Sequence, residues 1–480
     1  MTVIGLREPG TGTVSFRFSF TAGSSQDAAD KHGQALIAAW LMAEGGTKDL
    51  SSAQLKERLF PMSAGIGFSV DKDQSVFYGR VLSSDAAAYY ELLAGVLLHP
   101  AMAQGDFERI RGQVKDALVS GLRGSDDEEL GKAALDLAMY RGHPYASPVL
   151  GARGDLEKLT LDDVRDFRER HLCRNRLTIG VSGEITDELV AKVRADMEQL
   201  PSERCELAPT LPGVAPAAGR QVLIVDKPQA SATAISIGFP IDVRRGDPDY
   251  AALKLVEAYF GQHRTFMGRL QKRLRVERGL NYGNYAYAEH FEQDGEERVP
   301  AVNVSRHQQD FTLWLRPVKD ADRHFALRLA LMELSNLVEK GLSQQQLDET
   351  RTFMKGYYPS FAQTQERRLG YAIDAQFYAK PGEQPPEHIS ALLSAIDALT
   401  LDAVNAAIRK HLQTDKIFIA LVGKDAKALS DALASDAPSP IVYASPKSAD
   451  ITAEDAKVSK MPLRIDKQAI TVVPAPKIFE

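Results

Sequence analysis

The sequence predicts an α+β protein of two homologous domains, each a mainly antiparallel sheet with helices covering one face. Three observations predict it. At 480 residues the chain exceeds what one hydrophobic core sustains, about 250 to 300 residues. Residues 159–183, LTLDDVRDFRERHLCRNRLTIGVSG, lie without a gap on residues 399–423, LTLDAVNAAIRKHLQTDKIFIALVG, with nine of 25 positions identical at a constant shift of 240. Each half also runs two strands, a helical stretch, further strands, a helical layer and a last strand, which is the order of an α+β domain.

Taken in order, TVIGLREPGTGTVSFRFSF (2–20) reads as two alternating strands around a proline-bearing turn. It meets QVLIVDKPQASATAISIGF (221–239) at a shift of 219, which pairs Val3 with Val222 and Pro9 with Pro228. DFERIRGQVKDAL (106–118) and QLDETRTFMKGYY (346–358) are amphipathic helices, again 240 apart. Thr160 and Thr400 are placed to cap helices that end near His171 and His411, and an apolar strand then runs to Gly183 or Gly423. LAPTLPGVAPAAGR (207–220), with three prolines, has the composition of a semi-rigid linker. The two shifts differ by 21 residues, and the extra length falls around HFEQDGEERVPAVNVSRHQQ (290–309). After about residue 430, a proline- and serine-rich stretch leads to PLRIDKQAITVVPAPKIFE, which alternates like a late strand and lies on the body of the protein or on a partner. The expected division is therefore 1–206, linker 207–220, 221–430 and a C-terminal extension 431–480.

Composition narrows the function. Hydrophobic residues are 44% and charged residues 25%, ordinary globular values, and a net charge of −6 without any basic tract argues against nucleic acid. No run of about 18 apolar residues predicts membrane insertion, and the first twenty residues lack the pattern of an export signal. As numbered, this reads as a soluble chain, or as a mature form already trimmed. Cys173 and Cys205 belong to no CxxC pair, so a zinc ribbon or a disulfide framework is not expected, and whether the two pair with each other stays open.

Four stretches, HPYASPVLGARGDLEKLTLDDVRDFRERH (143–171), GRLQKRLRVERGLNY (268–282), VDKPQASATAISIGFP (225–240) and GSSQDAADKHGQALIAAWLMAEGGT (23–47), resemble the pitrilysin/insulinase-type zinc peptidases. The likeness is strongest to the processing-peptidase branch, and it implies two homologous domains arranged as a clamshell. Catalytic members carry His-x-x-Glu-His on the first long helix: two imidazoles bind zinc, a carboxylate takes a proton from the bound water, and a later carboxylate completes the site. Anchored on Gly46-Thr47, these five positions read IAAWL, so Ile37, Trp40 and Leu41 stand where zinc ligands and base would be. The later glutamate falls near Asp116 and an earlier one near Arg109, and no two of the ten histidines are spaced i, i+4. The resemblance thus implies a chain without its own zinc.

The second-domain motif is intact. A basic helix runs to about Arg278, Gly279 closes it, and LNYGNYAYA continues as a strand, so Arg275 and Tyr282 project toward one corner. In the resembling family the equivalent pair faces the zinc: the tyrosine hydroxyl holds the substrate carbonyl as charge develops, and the arginine binds backbone or carboxylate oxygen. Loss of one such donor costs about 3 to 4 kcal/mol. A chain keeping this half of the machinery is expected to be one subunit of a heterodimer whose sister carries His-x-x-Glu-His and the zinc. Its ligand would be an unfolded peptide added as a strand to an exposed sheet edge, and the isolated chain would be free to form a homodimer. The alternative is a catalytically dead scaffold of the same fold acting in protein assembly. Bacterial two-chain members are often exported, which points to the periplasm, with the cytoplasm as alternative. His143-Pro144-Tyr145 and GSDDEELGK (124–132) read as a structural turn and a solvated helix start.

Overall fold

A computed structural model describes residues 1–480 apart from 207–209, 266–267, 294, 296–297 and 381. The start of the expected linker, and parts of the extra length around 290–309, therefore lie outside the described residues. Strands β1 (Thr2–Arg7), β2 (Thr13–Phe20), β3 (Gly67–Val70), β4 (Ser75–Leu82) and β5 (Leu177–Gly183) form one sheet in the order β1-β5-β2-β4-β3. The second sheet is built from β6 (Gln221–Asp226), β7 (Thr233–Ile241), β8 (Asn284–Tyr287), β9 (Gln309–Val318), β10 (Phe418–Gly423) and β11 (Ile470–Pro474), in the order β11-β6-β10-β7-β9-β8. In each sheet the equivalent pair β1/β5 or β6/β10 is parallel, β11 adds to the outer side of β6 also in parallel, and the pairs beyond β5 or β10 are antiparallel.

The duplication extends to register. Val3 pairs with Ile179 and Val222 with Ile419, while Phe18 pairs with Ile179 and Ile237 with Ile419. Adding 219 to the first partner and 240 to the second converts one pair into the other. Thr160 and Thr400 cap their helices by accepting from the backbone N–H of Asp163 and Ala403, each at 3.2 Å, and both helices end at a histidine.

Strand β2 alternates Val14, Phe16, Phe18 and Phe20 with Ser15, Arg17 and Ser19, which suggests one wet face, yet both sets are buried. The polar face is covered by the helix Gln365–Tyr378 of the second half: Gln365 Nε2 donates to Ser15 Oγ at 3.1 Å, and Gly180 leaves room for Leu369, which a Cβ there would approach to 2.7 Å. Reciprocally, the helix Asp127–Met139 of the first half lies on β7 and β10, with Gly131 against Ser236, Ala234 and Val422. Each half thus lends a helix to the other's sheet, and on the first of these faces Gln365 also bonds the Ser182 carbonyl at 2.7 Å while Arg17 bonds Asn303 at 2.6 Å, which offsets part of the desolvation.

A second lock is the tip of the β3–β4 hairpin. Arg306 donates Nε and Nη2 to the two oxygens of Asp71, both at 2.7 Å, and Gln74 Oε1 accepts from the N–H of Ser305 at 2.7 Å. Asp73 accepts from the N–H of His307 at 2.9 Å and from Tyr145. The C-terminal extension packs on the body: β11 adds to β6, and Ile478 and Phe479 then join the core of the first half. Cys173 and Cys205, left open by the sequence, form a disulfide spanning 32 residues. No single helix among the described residues is long and apolar enough to cross a membrane.

Candidate functional site

The first long helix, Gln34–Glu44, starts where Asp27 accepts from the N–H groups of Gly33 and Ala35 at 2.7 and 2.8 Å. Ile37 and Leu41 point into the core and are 0% exposed, and Trp40 is half-buried against Phe68, ring centroids 5.7 Å apart. Asp116 is exposed at the end of the helix Gln104–Asp116, and Arg109 bonds Asp106 at 3.1 Å. Two aliphatic side chains and an indole offer no lone pair to zinc and no base to a bound water, so these positions do not fit the metal. Among the described residues, Asp71, His290 and Glu292 bring ligand atoms within 4.8 Å of one another. The Arg306 guanidinium grips Asp71 and stands 3.0 Å from His290 Nε2, so a fixed cation already occupies the one buried carboxylate of that cluster.

The corner of Arg275 and Tyr282 is built from a short wide-turned helix, Gln271–Val276. Its inward arginines are structural. Arg273 bonds Glu333 at 2.7 Å and Arg278 bonds Asp455 at 2.8 Å; burial works against the charge of Arg273, and its carboxylate partners outweigh that, raising its pKa. Gly279, at φ 68°, lets its N–H reach the Arg275 carbonyl at 2.8 Å and closes the helix. Tyr282 does not begin the strand as expected: β8 starts at Asn284, and Tyr282 sits in the loop before it, 68% exposed. Arg275 and Tyr282 do meet, with the guanidinium carbon 4.2 Å from the ring centroid, a cation–π stack. Arg316 of β9 flanks the same ring at 5.9 Å.

Arg316 also lines a cavity of about 590 Å³ between the halves, so Tyr282 stands beside its rim. The first-half wall is the helix 127–139 and the hairpin tip; the second-half wall carries Tyr285, Phe291 and Trp314. The acidic run 126–129 starts that helix as a solvated start should: Asp126 caps the N–H of Glu129 at 2.9 Å and both are exposed, Asp127 bonds Lys227, and Asp126, Glu128 and Glu129 also line the cavity. Glu128 bonds Arg316 at 3.0 Å, and the Lys132 ammonium lies 3.8 Å from the centre of the Trp314 ring. Burial, with the charge of Asp310, raises Asp136 to about 6, and burial beside Arg306 lowers Lys72 to about 8. Arg316 and Glu128, 188 residues apart, carry no sequence signal that would pair them. His143 serves its turn, accepting from the N–H of Tyr145 at 3.1 Å.

This geometry of duplicated halves, a first helix without ligands and a half-buried arginine stacked on an exposed tyrosine meets two sequence profiles. Residues 2–153 match "Insulinase (Peptidase family M16)" and residues 158–354 match "Peptidase M16 inactive domain". The chain belongs to the M16 peptidase family. Within it, the "non-peptidase homolog YmxG" of Helicobacter pylori is 22% identical over 410 residues, 85% of this chain and 88% of that protein. Among M16 structures, a peptidase M16 inactive domain from Pseudomonas fluorescens superposes with a TM-score of 0.75 at 22% identity, over 88% of this chain and 95% of that one. The first half of the periplasmic protease PqqL from Escherichia coli superposes with a TM-score of 0.68 at 14% identity, covering 95% and 94%. The likeness to these structures establishes the M16 fold; the inactive-domain profile covers residues 158–354, and the positions without zinc ligands, Ile37 to Leu41, fall within the insulinase profile.

Proposed function

We propose that this chain, divided as 1–206, linker 207–220, 221–430 and extension 431–480, is the zinc-lacking subunit of a heterodimeric M16 metallopeptidase. The observation that carries the reading is the pairing of opposites: zinc positions filled by core side chains, and Arg275 stacked on a Tyr282 that is 68% exposed. A tyrosine kept only for packing has little reason to present most of its surface to solvent. Zinc in the sister chain would supply the activated water. This chain's tyrosine hydroxyl would donate to the scissile carbonyl oxygen, and Arg275, with its planar fork, would bind the neighbouring peptide oxygen. Half of the peptide chamber would come from the cavity beside Arg316.

The disulfide supports an oxidising compartment, the periplasm, rather than the cytoplasm. The test mixes the chain with its co-purifying zinc-bearing partner and follows cleavage of reduced, carboxymethylated lactalbumin. Tyr282→Phe should lower kcat by about 100- to 1,000-fold while heterodimer formation is retained. Unaltered cleavage removes the tyrosine from the mechanism, and a stable heterodimer that cleaves nothing would favour a scaffold in protein assembly.

A further inference from the structure

The loop carrying Tyr282 combines an exposed side chain with a backbone held by hydrogen bonds from residue 282 to 284. Asn284 is 0% exposed and Gln271 3% exposed. Asn281 Nδ2 donates to Asn284 Oδ1 and to the Arg316 carbonyl, both at 2.8 Å, and Asn281 Oδ1 accepts from Asn284 Nδ2 at 2.7 Å. Gln271 Oε1 accepts from the N–H of Asn284 at 3.0 Å, while its Nε2 donates to the carbonyl of Tyr282 at 3.5 Å. Between them the N–H of Arg316 bonds the Gly283 carbonyl at 3.0 Å, and a Cβ at Gly283 would stand 2.2 Å from the Tyr285 hydroxyl. The loop is pressed flat on β9 from residue 281 to 284, and the tyrosine ring is what leaves the surface.

We propose that Asn281, Asn284 and Gln271 are positioning residues, an amide clamp that fixes the backbone from which Tyr282 projects. Only amides satisfy it, because each Asn side chain must donate and accept at once; a carboxylate at 281 would set its oxygen against Asn284 Oδ1 and the Arg316 carbonyl. Placement matters because a displacement of about 1 Å costs on the order of 100-fold in a preorganised site. The inference rests on the catalytic reading of Tyr282, and its test separates the two.

In the full-length chain alone, 3-fluorotyrosine at position 282 reports the ring's surroundings by 19F NMR. Asn281→Asp, and the milder Gln271→Glu that keeps the acceptor for Asn284, should move the resonance toward that of the free amino acid. An unmoved resonance overturns the clamp. In the heterodimer, with reduced, carboxymethylated lactalbumin, each variant should lower kcat about 10- to 100-fold with KM within about twofold. Neither should lower kcat further in a Tyr282→Phe background, and full additivity there also overturns the proposal. If Tyr282→Phe by itself leaves cleavage unchanged, the catalytic reading falls, and the fluorine signal still decides the clamp.

Discussion

Asp71 and Arg306 are 2% and 3% exposed and join the two halves by two hydrogen bonds of 2.7 Å. Burial alone would raise the Asp71 pKa; the Arg306 guanidinium, with His290 nearby, more than offsets that and holds the carboxyl below its ordinary range. A depressed carboxylate pKa means the folded protein gives up its proton more readily than the unfolded chain. The pair therefore contributes fully above the unfolded value, about 4, and the contribution is lost as pH falls below it. Asp71→Asn keeps the shape, removes the charge and leaves the buried guanidinium only Asp136, 3.9 Å away, which costs about 3 to 5 kcal/mol at pH 7. Urea unfolding of both proteins from pH 7 to pH 2 checks this: the gap should narrow on the acid side, and equal stability at pH 7 would deny the pair its bridging role.

The disulfide closes a span of 32 residues, from the turn before β5 to the end of the first half. Loop-closure entropy in the unfolded chain assigns such a bond about 4 kcal/mol, so the double variant Cys173→Ser, Cys205→Ser should unfold at a distinctly lower Tm, matched by reductant on the natural chain. A Tm insensitive to reductant would mean the bond is not formed in solution. At this scale, what depends on local chemistry was legible: Thr160 and Thr400 cap, Gly279 takes the left-handed turn, and the constant shifts reproduce the sheet register. Contacts between distant stretches leave no period to read, so Cys173–Cys205, Asp71–Arg306 and the exchanged helices were invisible. The alternation of serines with phenylalanines in β2 suggested solvent because the sequence does not record that Gln365 arrives from 350 residues away. NYGNYAYA resembled one continuous strand, yet the side-chain amides of Asn281 and Asn284 bond each other and divert the backbone, which frees Tyr282.

At the scale of the molecule, the two halves are tied in four places. Each sheet holds a helix of the other half, the hairpin tip 71–74 inserts against residues 303–309, and the C-terminal extension leaves β6 to end in the first core. Arg123 adds to the last tie by donating Nε to the Ala475 carbonyl at 3.3 Å, and the N–H of Arg153 meets the Phe479 carbonyl at 3.0 Å. Removing either half would expose the inner face of a helix and the polar face of a sheet, whose buried hydrogen bonds would be lost together. A hinge opening inside this chain would carry the same cost, so under the proposed heterodimeric reading a peptide would enter by movement between subunits. The halves should therefore unfold as one cooperative unit in spite of the duplication. Differential scanning calorimetry of the isolated chain should give a single transition with calorimetric and van't Hoff enthalpies in agreement. Two resolved transitions would show that each repeat stands alone, and a clamshell opening within the chain would then become the simpler route to the chamber.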